Sequence, residues 1–296
     1  MAASKTYLQE VLADSPVFAF TCNETTGTSI ADATGNAHPG TISGTYALNQ
    51  PPMTAGLGKS IAFTAGRIFL PFNSAFMYSN NWAIELVAKF TGTALGQVFG
   101  FFDSAAPNGG PAVYVNNGAV GSVLLRDSTG AGSTVSLGGL IDGKFRHLFL
   151  GRRGPNLEAW VNGDLTGLAT NVAVYKPTSN PAMSLMQFRD GSQSVPGGVD
   201  EAAYYTSMPS SDRIKIHAAR AMARQQLGGS ANLDTGSAAS KVLVRRWDTH
   251  EHVDAVTPDG TGKWTSLVDP GDYEVTTIGP SGYQPICHGP VTALDF

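Results

Sequence analysis

The chain has little cysteine, little charge and no long apolar run, and each shortage excludes a class of protein. Cys22 and Cys287 are the only cysteines, and neither stands in a CxxC or Cys/His cluster, so the sequence predicts two buried, reduced thiols and no disulfide framework. Only 14% of the residues are charged and the net charge is -4, which gives no basic field for a nucleic-acid backbone.

Membrane and export signals are also missing from the sequence. No apolar run approaches the roughly 20 residues of a membrane span. The first residues lack the basic and apolar regions of a signal peptide. We therefore expect synthesis and folding in the cytosol, without secretion and without membrane insertion.

Glycine and proline, in contrast, are abundant. The 35 glycines and 17 prolines disfavour helices, and the 42% of hydrophobic residues are ample for a core. This balance predicts an all-β protein. A chain of 296 residues divides naturally into one β-sandwich of about 200 residues and a smaller unit, because sandwiches often exceed the usual domain size of about 150 residues.

Short apolar or alternating segments follow one another from residue 60 onward, separated by turn residues. They are residues 60–63, 68–70, 82–90, 97–102, 112–115 and 122–125. Two further segments, 145–150 and 157–161, precede Asn162-Gly163, the dipeptide that type I′ hairpin turns favour. This spacing is typical of an antiparallel sandwich.

Three ordered motifs resemble laminin-G-like, concanavalin-A-like β-sandwich domains. Residues 7–40 contain VLADSP, an apolar strand and DATGNAHPG, and residues 142–163 contain DGKFRH and AWVNG. Residues 199–205, VDEAAYY, precede a helix that Ser210 or Ser211 would cap. The resemblance implies an antiparallel jelly roll with a terminal helix over residues 1–226, and it says little about a ligand.

A second unit is predicted after a linker. Residues 227–240, LGGSANLDTGSAAS, have the small, polar composition of a linker. Residues 241–296 alternate apolar segments with turns, and DGTGKW and PGDYEV resemble small transthyretin-like or carboxypeptidase-regulatory sandwiches, variants of which are appended to bacteriophage tail and particle proteins. We expect a small β-sandwich here, and because its about 55 residues are marginal alone, we expect it to dock on a partner.

Motifs of the common hydrolases are missing. Retaining glycosidases need paired carboxylates, and Glu85, Glu158 and Glu201 each lack a partner acid at the required spacing. Glu158 is expected to be a solvated, outward residue. There is no G-x-S-x-G, and no histidine stands near Cys22 in a catalytic pattern. The sequence therefore predicts a protein that is not an enzyme.

Calcium is the one cofactor that the resemblance implies. Concanavalin-A-like sandwiches often hold a structural Ca²⁺ through carboxylate and carbonyl oxygens. Glu24, Asp32 and Asp200 are the matching acids, with Asn36 as a carbonyl donor. The alternative is that Asp32 and Asn36 are ordinary turn residues and Asp200 is a hydrogen-bond acceptor at a strand end.

A histidine pair offers a second, weaker metal hypothesis. His250 and His252 on one strand would point to the same face, and copies meeting at an axis could share a metal there. An exposed edge strand is the competing interpretation.

Taken together, these features favour a non-enzymatic bacteriophage virion protein of the tail, baseplate or capsid surface. Its partners would be other virion proteins and copies of itself, with a host-surface glycan as a further ligand. The competing function is a stand-alone carbohydrate-binding, lectin-like module, which needs exposed Tyr or Trp side chains in loops. Trp82 and Trp160 lie in predicted strands and are expected in the core, which weakens that alternative.

Overall fold

The computed structural model describes residues 6–54, 57–78, 81–92, 96–102, 110–115, 120–126, 132–170, 172, 181–188, 191–222, 225–232, 237–268, 272–280 and 285–292. Strands make up 53% of the protein and helices 10%, so the predicted all-β sandwich fold is confirmed. Contacts between residues divide the chain into two compact units, Thr6–Met222 and 223–296.

The first unit is built mainly from strands. Helix α1 spans Tyr7–Ala13 and helix α2 spans Ser211–Ala221. The strands are β1 Phe18–Phe20, β2 Ser29–Ile30, β3 Gly40–Gln50, β4 Ser60–Leu70, β5 Asn81–Phe90, β6 Gly96–Phe102, β7 Gly110–Val115, β8 Val120–Arg126, β9 Gly132–Gly139, β10 Arg146–Arg153, β11 Asn156–Val161, β12 Asp164–Ala169, β13 Ala182–Leu185 and β14 Gly197–Tyr205. The segments predicted separately at 60–63 and 68–70 form the single strand β4, because Ala65 and Gly66 continue the pairing with β3.

These strands form one curled antiparallel sheet. Hydrogen-bonded neighbours follow the order β12-β11-β10-β5-β14-β4-β13-β6-β7-β8-β9, while β1 pairs with β14 and β3 pairs with both β2 and β4. The sheet curls until β9 lies against β11 and β12. Gly167 of β12 permits this approach, since a Cβ atom there would lie 2.6 Å from the carbonyl oxygen of Ser136.

Apolar side chains are buried on both faces of the curled sheet. The interior holds the larger core, which includes the stacked rings of Phe18 and Phe20. The outer face of β5, β10 and β14 is covered by α1 and α2, and a smaller core there contains Val11, Phe149 and Ile214. This second core encloses a group of polar side chains that is described with the candidate sites.

Several local features agree with the sequence predictions. Ser210 caps α2 by accepting a hydrogen bond from Arg213 N. Asn162 and Gly163 both adopt positive φ, as a type I′ turn between β11 and β12 requires. Trp82 and Trp160 are buried in the two cores, as predicted. Among the described residues, neither helix has the length and apolar character needed to cross a membrane.

The second unit is a small assembly of two sheets. Its strands are β15 Gln225–Ser230, β16 Lys241–Arg246, β17 His252–Val256, β18 Lys263–Val268, β19 Asp272–Ile278 and β20 Ile286–Thr292. Strands β15 and β18 form one antiparallel sheet, and β17-β16-β19-β20 form the other. The core between them includes the five side chains expected there: Val242, Val244, Trp264, Tyr273 and Val275.

The predicted linker at 227–240 is wrong for the residues that the structure describes there. Residues 227–230 belong to β15, which pairs with β18 along its whole length. Ala231 and Ala239 are buried in the core of the second unit. Small residues in this segment therefore serve close packing within a sheet and core, and composition alone does not distinguish this from a flexible connection.

Candidate functional site

Asp32, one of the predicted calcium ligands, accepts hydrogen bonds from the protein on both of its carboxylate oxygens. Its Oδ1 atom accepts hydrogen bonds from Ala19 N, Thr34 N and Thr34 Oγ1, and its Oδ2 atom accepts one from His38 N at 3.0 Å. The Nδ2 atom of Asn36 donates to main-chain carbonyl oxygens. Asp32 therefore organises the loop before β3 and does not fit the role of metal ligand, which agrees with the alternative stated for it.

Glu24 and Asp200 fit a cation better, because each keeps one buried oxygen without a partner among the described residues. Glu24 Oε1 accepts from Ala31 N and Asp200 Oδ2 accepts from Met53 N at 2.6 Å. Glu24 Oε2 and Asp200 Oδ1 are buried and make no hydrogen bond within the part of the chain that the structure describes. An unpaired buried carboxylate oxygen is costly, and a bound cation would remove that cost.

The electrostatics of this region reflect carboxylates brought close together. Burial raises the pKa of Asp200 to about 7, although the hydrogen bond from Met53 opposes the shift. Burial, and then the charge of Asp200, raise the pKa of Glu201 well above its ordinary value. Burial and the charges of Glu201, Glu24 and Asp200 likewise raise the pKa of the Cys22 thiol. The protein thus favours the neutral, protonated forms of Asp200, Glu201 and Cys22 in this region.

A complete metal site is not formed by side chains alone in the part of the chain that the structure describes. No group of three or more His, Cys, Asp or Glu residues there is arranged to hold a metal ion. A Ca²⁺ ion at Glu24 and Asp200 would therefore need main-chain or amide oxygens besides these two carboxylates, which suits a hard cation.

The most extensive polar arrangement is the Glu85 cluster, defined as Tyr7, Glu85, His147, Tyr205 and His217. His147 Nε2 donates to Glu85 Oε1 at 2.7 Å, and Tyr7 donates to the same oxygen at 2.9 Å. His217 Nδ1 lies 3.1 Å from Oε1, and Tyr205 donates to Oε2. These side chains come from α1, β5, β10, β14 and α2 and meet in the core between the sheet and the helices.

Charge pairing sets the protonation states in this cluster. Burial alone would raise the pKa of Glu85, but the positive charge of His217 and the hydrogen bonds from both histidines hold it well below its usual range. Burial alone would lower the pKa of His217, but Glu85 and Asp14 outweigh it and raise that pKa to about 9. Glu85 and His147 are completely buried, so the cluster links the sheet to both helices within the outer core.

A more open arrangement lies on the four-stranded sheet of the second unit. The Trp247 face, defined as Arg245, Trp247, His250 and Glu274, is on the side of this sheet away from the core. Glu274 lies opposite Arg245 in the strand pairing, 3.5 Å from its Nη1 atom, and Glu274 Oε2 lies 3.1 Å from His250 Nδ1. Trp247 follows β16 and keeps 42% of its surface exposed.

The position of the indole ring is fixed by its neighbours. Trp247 N donates to Asp272 O at 3.0 Å, which holds the main chain beside β19. The ring lies over Gly289 of β20, where a Cβ atom would be only 2.7 Å from the indole Cζ3 atom. One edge of the indole therefore lies against the Gly289 main chain, while 42% of the Trp247 side chain remains exposed.

Sequence patterns missed this face, and three further predictions about single residues are wrong. His250 lies in a turn with positive φ and contacts Glu274, so it does not share a strand with His252. Cys287 is exposed, because it lies on the outer side of the edge strand β20. Glu158 is buried, where it accepts hydrogen bonds from Arg153 Nε and Trp160 Nε1. No local signal separates Trp247 from a buried tryptophan, because it directly follows a strand and stands among charged residues.

Comparison with known proteins gives relatives in structure only. No protein-family model matches the chain, and no curated protein matches its sequence. The receptor-binding domain of botulinum neurotoxin mosaic serotype C/D superposes with a TM-score of 0.59 at 10% identity, covering 93% of this chain and 73% of that one.

Two other similar structures were solved with carbohydrates. The ligand-binding domain of botulinum neurotoxin serotype D, in complex with N-acetylneuraminic acid, has a TM-score of 0.53 at 8% identity and covers 92% of this chain and 73% of that one. Domain 4 of a GH43 extracellular arabinanase from Geobacillus stearothermophilus, in complex with arabinotriose, has a TM-score of 0.50 at 18% identity and covers 69% of this chain and 98% of that domain. At these identities the likeness establishes the fold, an all-β sandwich architecture.

Proposed function

We propose that this chain is a non-catalytic carbohydrate-binding protein whose ligand contacts the Trp247 face. The observation that carries the proposal is the exposed Trp247 indole, held against Gly289 and flanked by Arg245, His250 and Glu274. The comparisons support a carbohydrate ligand, because two proteins of similar fold were crystallised with N-acetylneuraminic acid and arabinotriose.

The chemistry of the face suits a sugar. A tryptophan offers a large, rigid apolar surface with little conformational entropy to lose, and the C–H side of a sugar ring packs on such a surface. Arg245 and His250 have exposed side chains that can donate hydrogen bonds to hydroxyl or carboxylate groups, and the buried Glu274 holds both of them in place. Because Arg245 and Glu274 already hold each other, these groups are oriented before a ligand arrives.

The virion role is the narrower form of this proposal. In that form the protein sits on the surface of a bacteriophage particle, contacts other virion proteins or its own copies, and adheres to host glycans. Two features support it: the sequence resemblance of residues 241–296 to modules appended to phage proteins, and Ile286 on the edge strand β20, of which 58% is exposed. Detection of the chain in purified particles by mass spectrometry would test it.

The proposed function is tested with a glycan array probed with the full-length chain and with Trp247→Ala. We expect the wild-type protein to bind a defined subset of glycans and the variant to lose that binding. Phe72→Ala is the matched control, because Phe72 is a similarly exposed aromatic side chain, 49% accessible, in the first unit. Absence of binding to any glycan by the wild-type chain would contradict the proposal.

A further inference from the structure

The second unit also contains a cavity, on the opposite side of the four-stranded sheet from the Trp247 face. This inter-sheet cavity has a volume of about 190 Å³ and lies where β15 and β18 face β19 and β20. Its apolar lining comes from Trp264, Val275 and Val291, and its polar lining from Ser230, Thr277 and His288. Apolar and hydrogen-bonding groups therefore converge on one half-open cavity.

The polar lining is accessible to solvent. Ser230 and His288 are exposed and Thr277 is half-buried, whereas Trp264 is buried. Gly229 leaves the region beside the indole open, since a Cβ atom there would lie 3.7 Å from Trp264 Nε1. The cavity thus presents an indole N–H, two hydroxyls and an imidazole to a ligand.

Size decides which kind of ligand fits. Pockets for drug-sized ligands measure roughly 300–1,000 Å³, so a cavity of about 190 Å³ is too small for an oligosaccharide. It suits one small amphipathic ring. A sugar ring has a C–H surface that matches Trp264, Val275 and Val291 and hydroxyls that match Ser230, Thr277 and His288, whereas a wholly apolar group would match only the first set.

We propose that the inter-sheet cavity is a second carbohydrate subsite, which takes a single monosaccharide ring at the end of a glycan. This inference rests on the proposed function and adds a site of different geometry. Trp247 would pack against a sugar ring within a linear glycan, and the cavity would receive the sugar ring at the end of a glycan. Two sites in one unit would also bind a branched or multivalent glycan surface more tightly than either site alone.

The test follows the indole N–H resonances of the full-length, ¹⁵N-labelled protein by NMR. The chain has 4 tryptophans, so their signals can be assigned with single Trp→Phe variants. D-galactose, L-arabinose and N-acetylneuraminic acid are titrated separately. We expect at least one to shift the Trp264 resonance with a Kd of about 1 mM, the affinity typical of so small a ligand. The buried Trp82 resonance should not move.

Two neighbouring threonines of β19 provide matched variants. Thr277 lines the cavity, whereas Thr276 points to the opposite face of the sheet. Thr277→Val removes one hydroxyl at constant shape and should weaken the titration about fivefold. Thr276→Val should leave the affinity unchanged. The melting temperatures of both variants check that they are folded.

The outcomes separate this inference from the proposed function. If array-positive glycans shift the Trp247 resonance while no sugar or glycan shifts that of Trp264, the cavity subsite is wrong and the proposed function stands. A Trp264 shift that Thr277→Val leaves unchanged also contradicts the subsite. If no glycan binds the chain at all, the proposed function fails first and this inference fails with it.

Discussion

Glu85 Oε1 lies 2.7 Å from His147 Nε2, and both side chains are completely buried between the curled sheet and its two helices. The two residues stand on the adjacent strands β5 and β10, while Tyr7 of α1 and His217 of α2 reach the same carboxylate. One buried charge therefore connects the sheet to both helices. We therefore expect this charge to stabilise the folded first unit.

Glu85→Gln should destabilise the first unit strongly. The substitution keeps the shape of the side chain but removes the charge that pairs with His217, and breaking a buried pair in this way typically costs about 3–5 kcal/mol. Urea denaturation would measure the loss. Asp142→Asn, which removes an exposed ion pair with Arg146, should leave the denaturation midpoint in place. Equal midpoints for Glu85→Gln and the wild type would show that the cluster contributes nothing.

The pH dependence of stability should carry the signature of His217. Its pKa is raised from 6.5 to about 9 in the folded chain, so its contribution is complete below about pH 6.5 and is lost as the pH rises through 9. The contribution of Glu85, whose pKa is lowered, is complete above about pH 4.5 and is lost on acidification. Both contributions are therefore complete between about pH 4.5 and 6.5.

A comparison with His217→Gln isolates this effect from other titrations. Asp200 and Glu201 have raised pKa values, so their ionisation also lowers the free energy of unfolding as the pH rises. This effect is the same in the wild type and in His217→Gln. The difference in unfolding free energy between wild type and variant should reach about 3 kcal/mol at pH 6 and shrink towards pH 10. A difference that does not change with pH would rule out a charged His217.

Calcium should stabilise the protein more at pH 8 than at pH 6. Asp200 has a pKa of about 7, and only its ionised form attracts a cation. Thermal melting in excess Ca²⁺ and in EDTA at both pH values measures this. Asp200→Asn should abolish the calcium effect, whereas Asp32→Asn should lower stability equally with and without calcium, because Asp32 serves main-chain donors. Identical melting curves in Ca²⁺ and EDTA would remove the site.

A chain that ends at Met222 should fold on its own. The first unit has both of its cores within Thr6–Met222, and α2 closes the outer one. Ending the chain at residue 240 instead would leave β15 without its partner β18. Circular dichroism and size-exclusion chromatography should show a monodisperse, cooperatively melting fragment. Aggregation of the 1–222 fragment would mean that the second unit is required for folding.

The sequence predicted local structure well where a single residue type decides it. The Asn162-Gly163 turn, the Ser210 cap and the buried Trp82 depend on backbone conformation or hydrophobicity, which are visible in a short window. The Glu85 cluster depends on hydrogen bonds between residues far apart in the chain, such as Glu85 and His217, which are 132 positions apart. No local pattern reports such a pairing, so these acids and histidines could not be interpreted in advance.

For the tryptophans, too, the sequence predicted the buried side chains but not the exposed one. Trp82 and Trp160 were expected in the core because they lie in apolar strands, and that argument was correct. Trp247 follows a strand directly and is surrounded by charged residues, which does not distinguish an exposed ring from a buried one. Its position depends on the pairing of β16 with β19 and of β19 with β20, which brings Gly289 beside the ring.

Carbohydrate binding at the Trp247 face is the central claim, and isothermal titration calorimetry tests it most directly. A glycan selected on the array is titrated into the wild-type chain, Trp247→Ala and Phe72→Ala. Thermal melting first confirms that the three proteins are equally stable. The account predicts that Trp247→Ala weakens binding at least about tenfold, as expected when an aromatic anchor is removed, and that Phe72→Ala binds like the wild type. Equal affinity for the wild type and Trp247→Ala would contradict the account.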